Sequence, residues 1–347
     1  MGTARLWIRG RRLAAALVVA AAITPVFNVL TSEASLRSAL HGLLDAVVIT
    51  ILVGGYLEFV RAERLRAWFR GLGFCADLSL SSAIVLALFL VGRALGQVIV
   101  THDPRRIMTS FTDAHLIYAL PFFVVVAVLI QFVLQMNRMI GTNVVRYFVA
   151  GVYHRPQAEE RIFLFLDLER STHVAERLGS AQYFELLRRF ADQLTEPVLE
   201  TDGEIYQYAG DEVVVTWPMK AGVHAANCVR CFFAIRAAVE RDRARYEETF
   251  GVTPRFRGGL HGSTVTAGEL GDLKQQIVFV GDILNTAARL EEYAKQTGLD
   301  LVISGAVLER IVLPPRVRAA PCGDLTIRGK ETRVAAFSLI EESAKYK

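Results

Sequence analysis

Residues 161–172 read RIFLFLDLERST and residues 203–217 read GEIYQYAGDEVVVTW. In the first, an unbroken apolar run marks a buried strand, with Asp167 at its carboxyl end. In the second, two β-rich runs, 204–208 and 212–217, flank Ala209-Gly210-Asp211, a hairpin signal with Asp211 at the tip. Adjacent strands lie about 4.8 Å apart, so carboxylates at two strand ends can converge on one site. Such a pair offers the hard oxygen ligands that Mg²⁺ takes together with substrate phosphates. A single strand-end aspartate is more often a cap or turn residue. Ser171 and Thr172 follow closely enough to cap the next helix, whose N-terminus suits phosphate. Glu212 adjoins Asp211, but strand alternation turns it to the opposite face, so a structural role is expected for it.

Working outward, the 3.6-residue pattern predicts helices over 171–178, 181–200, 223–250 and 283–295. Further strands are predicted over 255–266, 277–280, 301–303 and 334–339. The order strand–helix–hairpin–helix–strand predicts an α+β, ferredoxin-like (split βαβ) sheet with helices on one face. Within GDILNTAARLE (281–291), Asn285 and Arg289 lie one helical turn apart. Alone, that pair reads as a solvated helix face. Beside two strand-end aspartates, its amide and guanidinium can hold a phosphate-bearing substrate over bound metal. The set points to an enzyme acting on a nucleoside triphosphate.

The first 150 positions are different. The chain has 347 residues, enough for two or three domains, and its 52% hydrophobic content is concentrated there. Four apolar stretches, 13–30, 40–60, 74–100 and 114–136, are each close to the roughly 20 residues that span a bilayer. They predict an α-helical four-span membrane bundle. RGRR before an Ala-rich run imitates a signal peptide, but no small-residue cleavage site follows, and the segment reads as a retained anchor. Arg5, Arg9, Arg11 and Arg12 precede span one, Arg61, Arg64, Arg66 and Arg70 join spans two and three, and Arg138 and Arg146 follow span four. The positive-inside rule puts all of these in the cytoplasm, with the N-terminus and the C-terminal domain, at the inner membrane. The expected division is a membrane domain over 1–136, a linker over 137–158 and a soluble domain over 159–347. Span four is expected to continue as a helix through 137–148, stopped by Gly151 and Pro156.

The net charge of +4 is modest, and the basic residues flank apolar runs, so no nucleic-acid partner is expected. The four cysteines exclude a disulfide scaffold. Cys228 and Cys231 form a C-x-x-C in a helical pattern without a second ligand pair, which reads as a reduced structural pair. His41, His102 and His115 fall near the outer ends of spans two, three and four. Imidazoles at one depth can bind haem or a transition metal, or hydrogen-bond a quinone. The plainer reading, interfacial polar residues, is preferred. Asp77 and Arg93 in span three are costly to bury and are expected to face the bundle or its ends.

Residues 159–340 resemble the catalytic domain of class III nucleotidyl cyclases, the adenylyl and guanylyl cyclases. The resemblance rests on FLDLERST (165–172), YAGDE (208–212), GDILNTAARLE (281–291) and IRGK (327–330), in that order, with the two aspartates 211 − 167 = 44 positions apart. It implies that Asp167, with neighbouring Leu168, and Asp211 form the site for two Mg²⁺ or Mn²⁺ ions. It further implies that Asn285 orients the ribose and Arg289 meets charge on the α-phosphate. Lys330 matches the family's phosphate-binding lysine, and Lys274 is a second phosphate candidate. The resemblance also implies a homodimer, one chain giving the aspartates and the other the Asn/Arg pair. The positions that select the purine hold Gln207 and Val278 instead of the usual pair. Gln207 both donates and accepts hydrogen bonds, and the Val278 side chain does neither. ATP is the substrate the family implies, with GTP as the alternative. Diguanylate cyclases share the sheet and a similar turn, but the NTAAR helix and the IRGK loop are foreign to them. A membrane receptor with a catalytically weak nucleotide-binding domain is the reading from another functional class.

Overall fold

The computed structural model describes residues 36–57, 72–101, 151–326 and 333–342, together with isolated positions elsewhere. The chain forms two compact units, Met1–Val145 and Arg146–Lys347.

In the first unit, helices α1 (Leu36–Gly55) and α2 (Phe74–Thr101) are mostly apolar and pack on each other. Among the described residues, Phe74–Gly96 of α2 is the one helix long and apolar enough to cross a membrane, with a mean hydropathy of 2.2; the apolar run Ala46–Gly55 of α1 is shorter. Asp77 sits in the first turn of α2, near the helix end as expected. It accepts hydrogen bonds from Ser81 Oγ (2.9 Å) and Gln135 Nε2 (3.0 Å). Most of predicted spans one and four, His102, His115 and the segment 137–146 lie outside the described residues. His41 is carried on α1, but its side chain also lies outside them.

The second unit is built on an eight-stranded sheet. Its first part follows the split βαβ order: β1 (Gln157–Leu168), α3 (Ser171–Glu200), β2 (Glu204–Ala209), β3 (Glu212–Pro218), α4 (Met219–Val223), α5 (Asn227–Arg241), α6 (Arg243–Phe250) and β4 (Phe256–Leu270). The rest extends the sheet: β5 (Gln276–Val280), α7 (Asp282–Thr297), β6 (Leu301–Ser304), α8 (Gly305–Leu308), β7 (Val317–Thr326) and β8 (Arg333–Glu341). The strand order is β2–β3–β1–β4–β6–β8–β7, with β5 paired to the distal part of β4. Among the described strands only β4 and β6 pair in parallel.

The sheet is covered on both faces, which corrects the expectation of helices on one face only. Ile162, Leu164 and Leu166 of β1 pack with Leu186, Phe190 and Leu194 of α3 and Phe232 of α5. Phe163 and Phe165, on the other side, pack with Val214, Phe279 and, from α7, Ile283 and Ala287. Two-face burial is why β1 reads as a continuous apolar run rather than an alternating one. The close seat of α7 depends on Gly259 of β4. A Cβ there would come within 2.2 Å of Glu291 N and 2.3 Å of Ala287 O.

Other predicted elements differ in extent. The 171–200 helix is broken at Gly179 (φ 72°, ψ 161°), as the two predicted segments required. The single helix expected over 223–250 is interrupted by left-handed Ala225 and Ala226 and again at Asp242. There the Asp242 carboxylate takes hydrogen bonds from Arg189 Nε and Gln193 Nε2 of α3, each at 2.7 Å. Gly151 takes φ 64°, and Val152 N–H closes onto Tyr147 C=O at 3.0 Å, a left-handed stop at the predicted place. Cys228 and Cys231 are buried in the core under α5, where burial pushes both thiols up to about 12.

Candidate active site

The carboxyl end of β1 meets the start of β3, with Asp167 directly opposite Glu212. The two-residue Gly210-Asp211 turn then folds back over that end. Gly210 takes φ 67°, a left-handed conformation that a side chain would disfavour. Asp211 thereby comes close enough for its charge to act on Asp167. Burial raises the Asp167 pKa; Lys295 opposes the shift and the charge of Asp211 adds to it. Two carboxylates close enough for one to raise the other's pKa favour a proton or a cation beside them, and their oxygens suit a hard divalent ion. The expected pair is therefore assembled, and its chemistry fits the metal the sequence implies. Among the described residues, no cluster of three or more acidic, histidine or cysteine side chains forms a closed metal cage.

Glu212 departs from expectation. As the register partner of Asp167 it shares that residue's sheet face, because Asp211 lies in the turn and strand alternation does not reach back across it. Burial, then Asp167 and Asp211, raise its pKa. The N-terminus of α3 also differs. Its cap is Arg170, in the left-handed conformation (φ 53°) and without a side-chain cap bond. Only Glu169 and Arg170 separate strand from helix, so the chain must turn sharply there, and Ser171 and Thr172 are helical residues rather than caps. Tyr183 stands near this turn, and its pKa is raised by burial and by Asp211. Leu168 buries its side chain in the core, leaving only its backbone to face a ligand.

Asn285 and Arg289 stand exposed on α7. With Asp282, Glu291, Glu292 and Lys295 they line an open groove of about 780 Å³. Arg289 Nη1 pairs with Glu292. Asn285 is ten residues along the helix from Lys295, or about 15 Å at 1.5 Å per residue. Lys295 itself reaches Asp167 Oδ2 at 2.5 Å. Asn285 thus lies far along α7 from the lysine that touches Asp167, and Arg289, six residues from it, lies about 9 Å away. Gln207 is exposed on β2, and Val278 is half-buried on β5. Their strands meet through neighbours: Tyr206 packs edge-on to Phe279, with centroids 5.2 Å apart. Lys274 lies in the β4–β5 turn, at the opposite end of β4 from Arg257, the register partner of Asp167. Lys330 lies outside the described residues.

Three site neighbours escaped the sequence reading: Tyr183, Glu291 and Lys295. Glu291 and Lys295 were visible as an i,i+4 pair on a predicted helix. Nothing local linked them to a strand 128 positions away. Glu291 is 8% exposed, its Oε1 has no hydrogen-bond partner, and burial with the charge of Asp167 pushes it up to about 7.

No family model matches the sequence. The chain is 36% identical over 303 residues to Adenylate cyclase 2 of Rhizobium meliloti (strain 1021), covering 86% of this chain and 83% of that protein. Only 347 − 150 = 197 residues follow position 150, so this match runs well into the first unit. Adenylate cyclase 1 of the same organism is 27% identical over 185 residues, 52% of this chain and 28% of that protein. Among solved structures, a bacterial light-regulated adenylyl cyclase is similar in fold, with a TM-score of 0.55, 20% identity and 66% of each chain covered. Similarity of this extent to the first Rhizobium protein, on a sheet that carries the paired aspartates, makes the chain a member of the class III adenylate cyclase family.

Proposed function

We propose that the protein is an adenylate cyclase, converting ATP to 3′,5′-cyclic AMP and pyrophosphate at the interface of a homodimer. The observation that carries this reading is the placing of Asp211 near enough to Asp167 for its charge to act there, in a chain of this family. Asp167 and Asp211, with the Leu168 backbone, are the residues that would hold Mg²⁺ or Mn²⁺. Divalent ions bound there lower the pKa of the ribose 3′-hydroxyl and neutralise the departing pyrophosphate.

The chain's own groups do the rest. Asn285 orients the ribose so that its 3′-oxygen attacks the α-phosphorus in line with the bond to the β-phosphate. Arg289 meets the negative charge that builds on the α-phosphate as that bond breaks. The first turn of α3, at Ser171 and Thr172, offers backbone N–H groups to the triphosphate. Lys330 and Lys274 are the further phosphate contacts. The exposed Asn285 and Arg289 serve the aspartate pair of a second copy, which accounts for their distance from Asp167 in one chain. Gln207 faces the purine with an amide that pairs with adenine or guanine, and Val278 offers no polar side-chain group.

The N-terminal part is a membrane domain over 1–136 with four spans, joined by a linker over 137–158 to a catalytic domain over 159–347. In this arrangement the catalytic domain and the N-terminus are cytoplasmic, at the inner membrane. The apolar helix Phe74–Gly96 is long enough for one of these spans.

Purified full-length protein with Mn²⁺ is given ATP and, separately, GTP, beside an Asp211→Ala control. Cyclic AMP from ATP that the control lacks is the expected result. Faster turnover of GTP reassigns the purine. Absence of any metal-dependent product above the control rejects a cyclase and favours a nucleotide-binding receptor.

A further inference from the structure

Lys295 reaches the aspartate pair from the chain's own helix, and its placement is over-determined. Gly259 lets Ala287 and Glu291 rest on β4. Arg257, opposite Asp167 across the β1–β4 ladder, donates from Nη1 to the carbonyl oxygens of Ala294 (3.3 Å) and Lys295 (2.6 Å). Its Nε donates to Glu169 Oε1 at 2.9 Å, which ties the guanidinium to the residue two positions beyond Asp167. The backbone of Lys295 is therefore clamped to the strands of the site. Its ammonium donates to Asp167 Oδ2 at 2.5 Å, with the lysine side chain 55% exposed and the aspartate 13% exposed.

The surroundings explain why a cation belongs there. Asp167, Asp211 and Glu212 converge at the strand ends, and Glu291 stands one helical turn before Lys295 with its Oε1 unpaired. Lys295 is the ammonium bonded to Asp167 and near enough to feel the charges of Glu291 and Asp211. We propose that Lys295 is a built-in counter-ion of Asp167, which a divalent cation must displace from the carboxylate, so that this lysine sets the metal affinity of the resting protein. The proposal rests on the reading of Asp167 as a metal ligand. The role is that of a positioning residue: it holds the Asp167 carboxylate in place without touching substrate. An exposed ammonium on a flexible stem can swing aside at a cost comparable to one partly exposed ion pair, so the effect is about five- to tenfold in affinity.

The test is direct Mn²⁺ binding to full-length protein without nucleotide at pH 8, read from the electron paramagnetic resonance signal of free Mn²⁺. The variants are Lys295→Gln, Lys295→Ala, Lys295→Arg and Asp167→Asn. Lys295→Gln and Lys295→Ala are expected to bind Mn²⁺ five- to tenfold more tightly than wild type, with Lys295→Arg close to wild type and Asp167→Asn greatly weakened. Both neutral variants matching wild type, or binding more weakly, while Asp167→Asn loses binding, overturns the counter-ion role and leaves the metal site standing. Asp167→Asn binding as wild type overturns the metal site and the counter-ion role together. The side chain of Lys295 is mostly exposed, so its neutral variants are expected to keep the wild-type unfolding temperature, and that measurement accompanies the titration.

Discussion

Glu291 is the residue at which burial and charge conflict most openly. Its carboxyl is pushed from its ordinary 4.5 up to about 7, first by burial and then by Asp167. An acid whose folded pKa lies above its unfolded value costs no stability below pH 4.5, where both states hold the proton. The cost grows as pH rises from 4.5 to 7, because the unfolded chain releases its proton first, and it is constant above. Glu291→Gln removes that cost. In metal-free buffer the variant is expected to match wild type at pH 4 and to exceed it at pH 8 by on the order of 2–3 kcal/mol, read by urea unfolding. A variant no more stable than wild type at pH 8 contradicts this account of Glu291. The same residue shows where a sequence falls silent. Asp167 and Asp211 were legible because each ends or tips a strand with its own local signature. Glu291 and Lys295 were not, because their importance comes from a helix lying across strands far away in the chain.

At the scale of elements, the seat of α7 decides what the site contains. Gly259→Ala puts a Cβ against the backbone of Glu291 and Ala287, and neither can move without shifting the helix. The substitution is expected to cost at least about 3 kcal/mol, as a lowered denaturant midpoint, because overpacking against backbone cannot relax through a rotamer. An unchanged midpoint contradicts the observed helix–sheet contact. The position of α7 was half legible. The five apolar residues 162–166 already demanded cover on both faces of β1, and the helices were nevertheless assigned to one. Strand β7 escaped for a different reason. Its sequence, VRAAPCGDLT, contains Pro321 and Gly323, and its pairing with β8 shifts register between them, so no clean alternation survives. The hairpin β2–β3 was read correctly because its turn chemistry and its strand patterns agree.

At the scale of the whole molecule, the account requires two copies. Each chain presents an aspartate pair at its strand ends and, along α7, Asn285 and Arg289 about 15 and 9 Å from the lysine that touches Asp167. In the proposed dimer each of two sites takes one pair from each chain, so two chains damaged in different pairs can rebuild a single intact site. The measurement is cyclic AMP formation by co-expressed Asp211→Ala and Arg289→Ala chains, separately tagged and purified together. Either variant alone is expected to be inactive, and the co-purified mixture to regain roughly a quarter of the wild-type rate, as random pairing with one restored site per mixed dimer requires. A mixture as silent as its parts, beside an active wild type, would contradict the composite site.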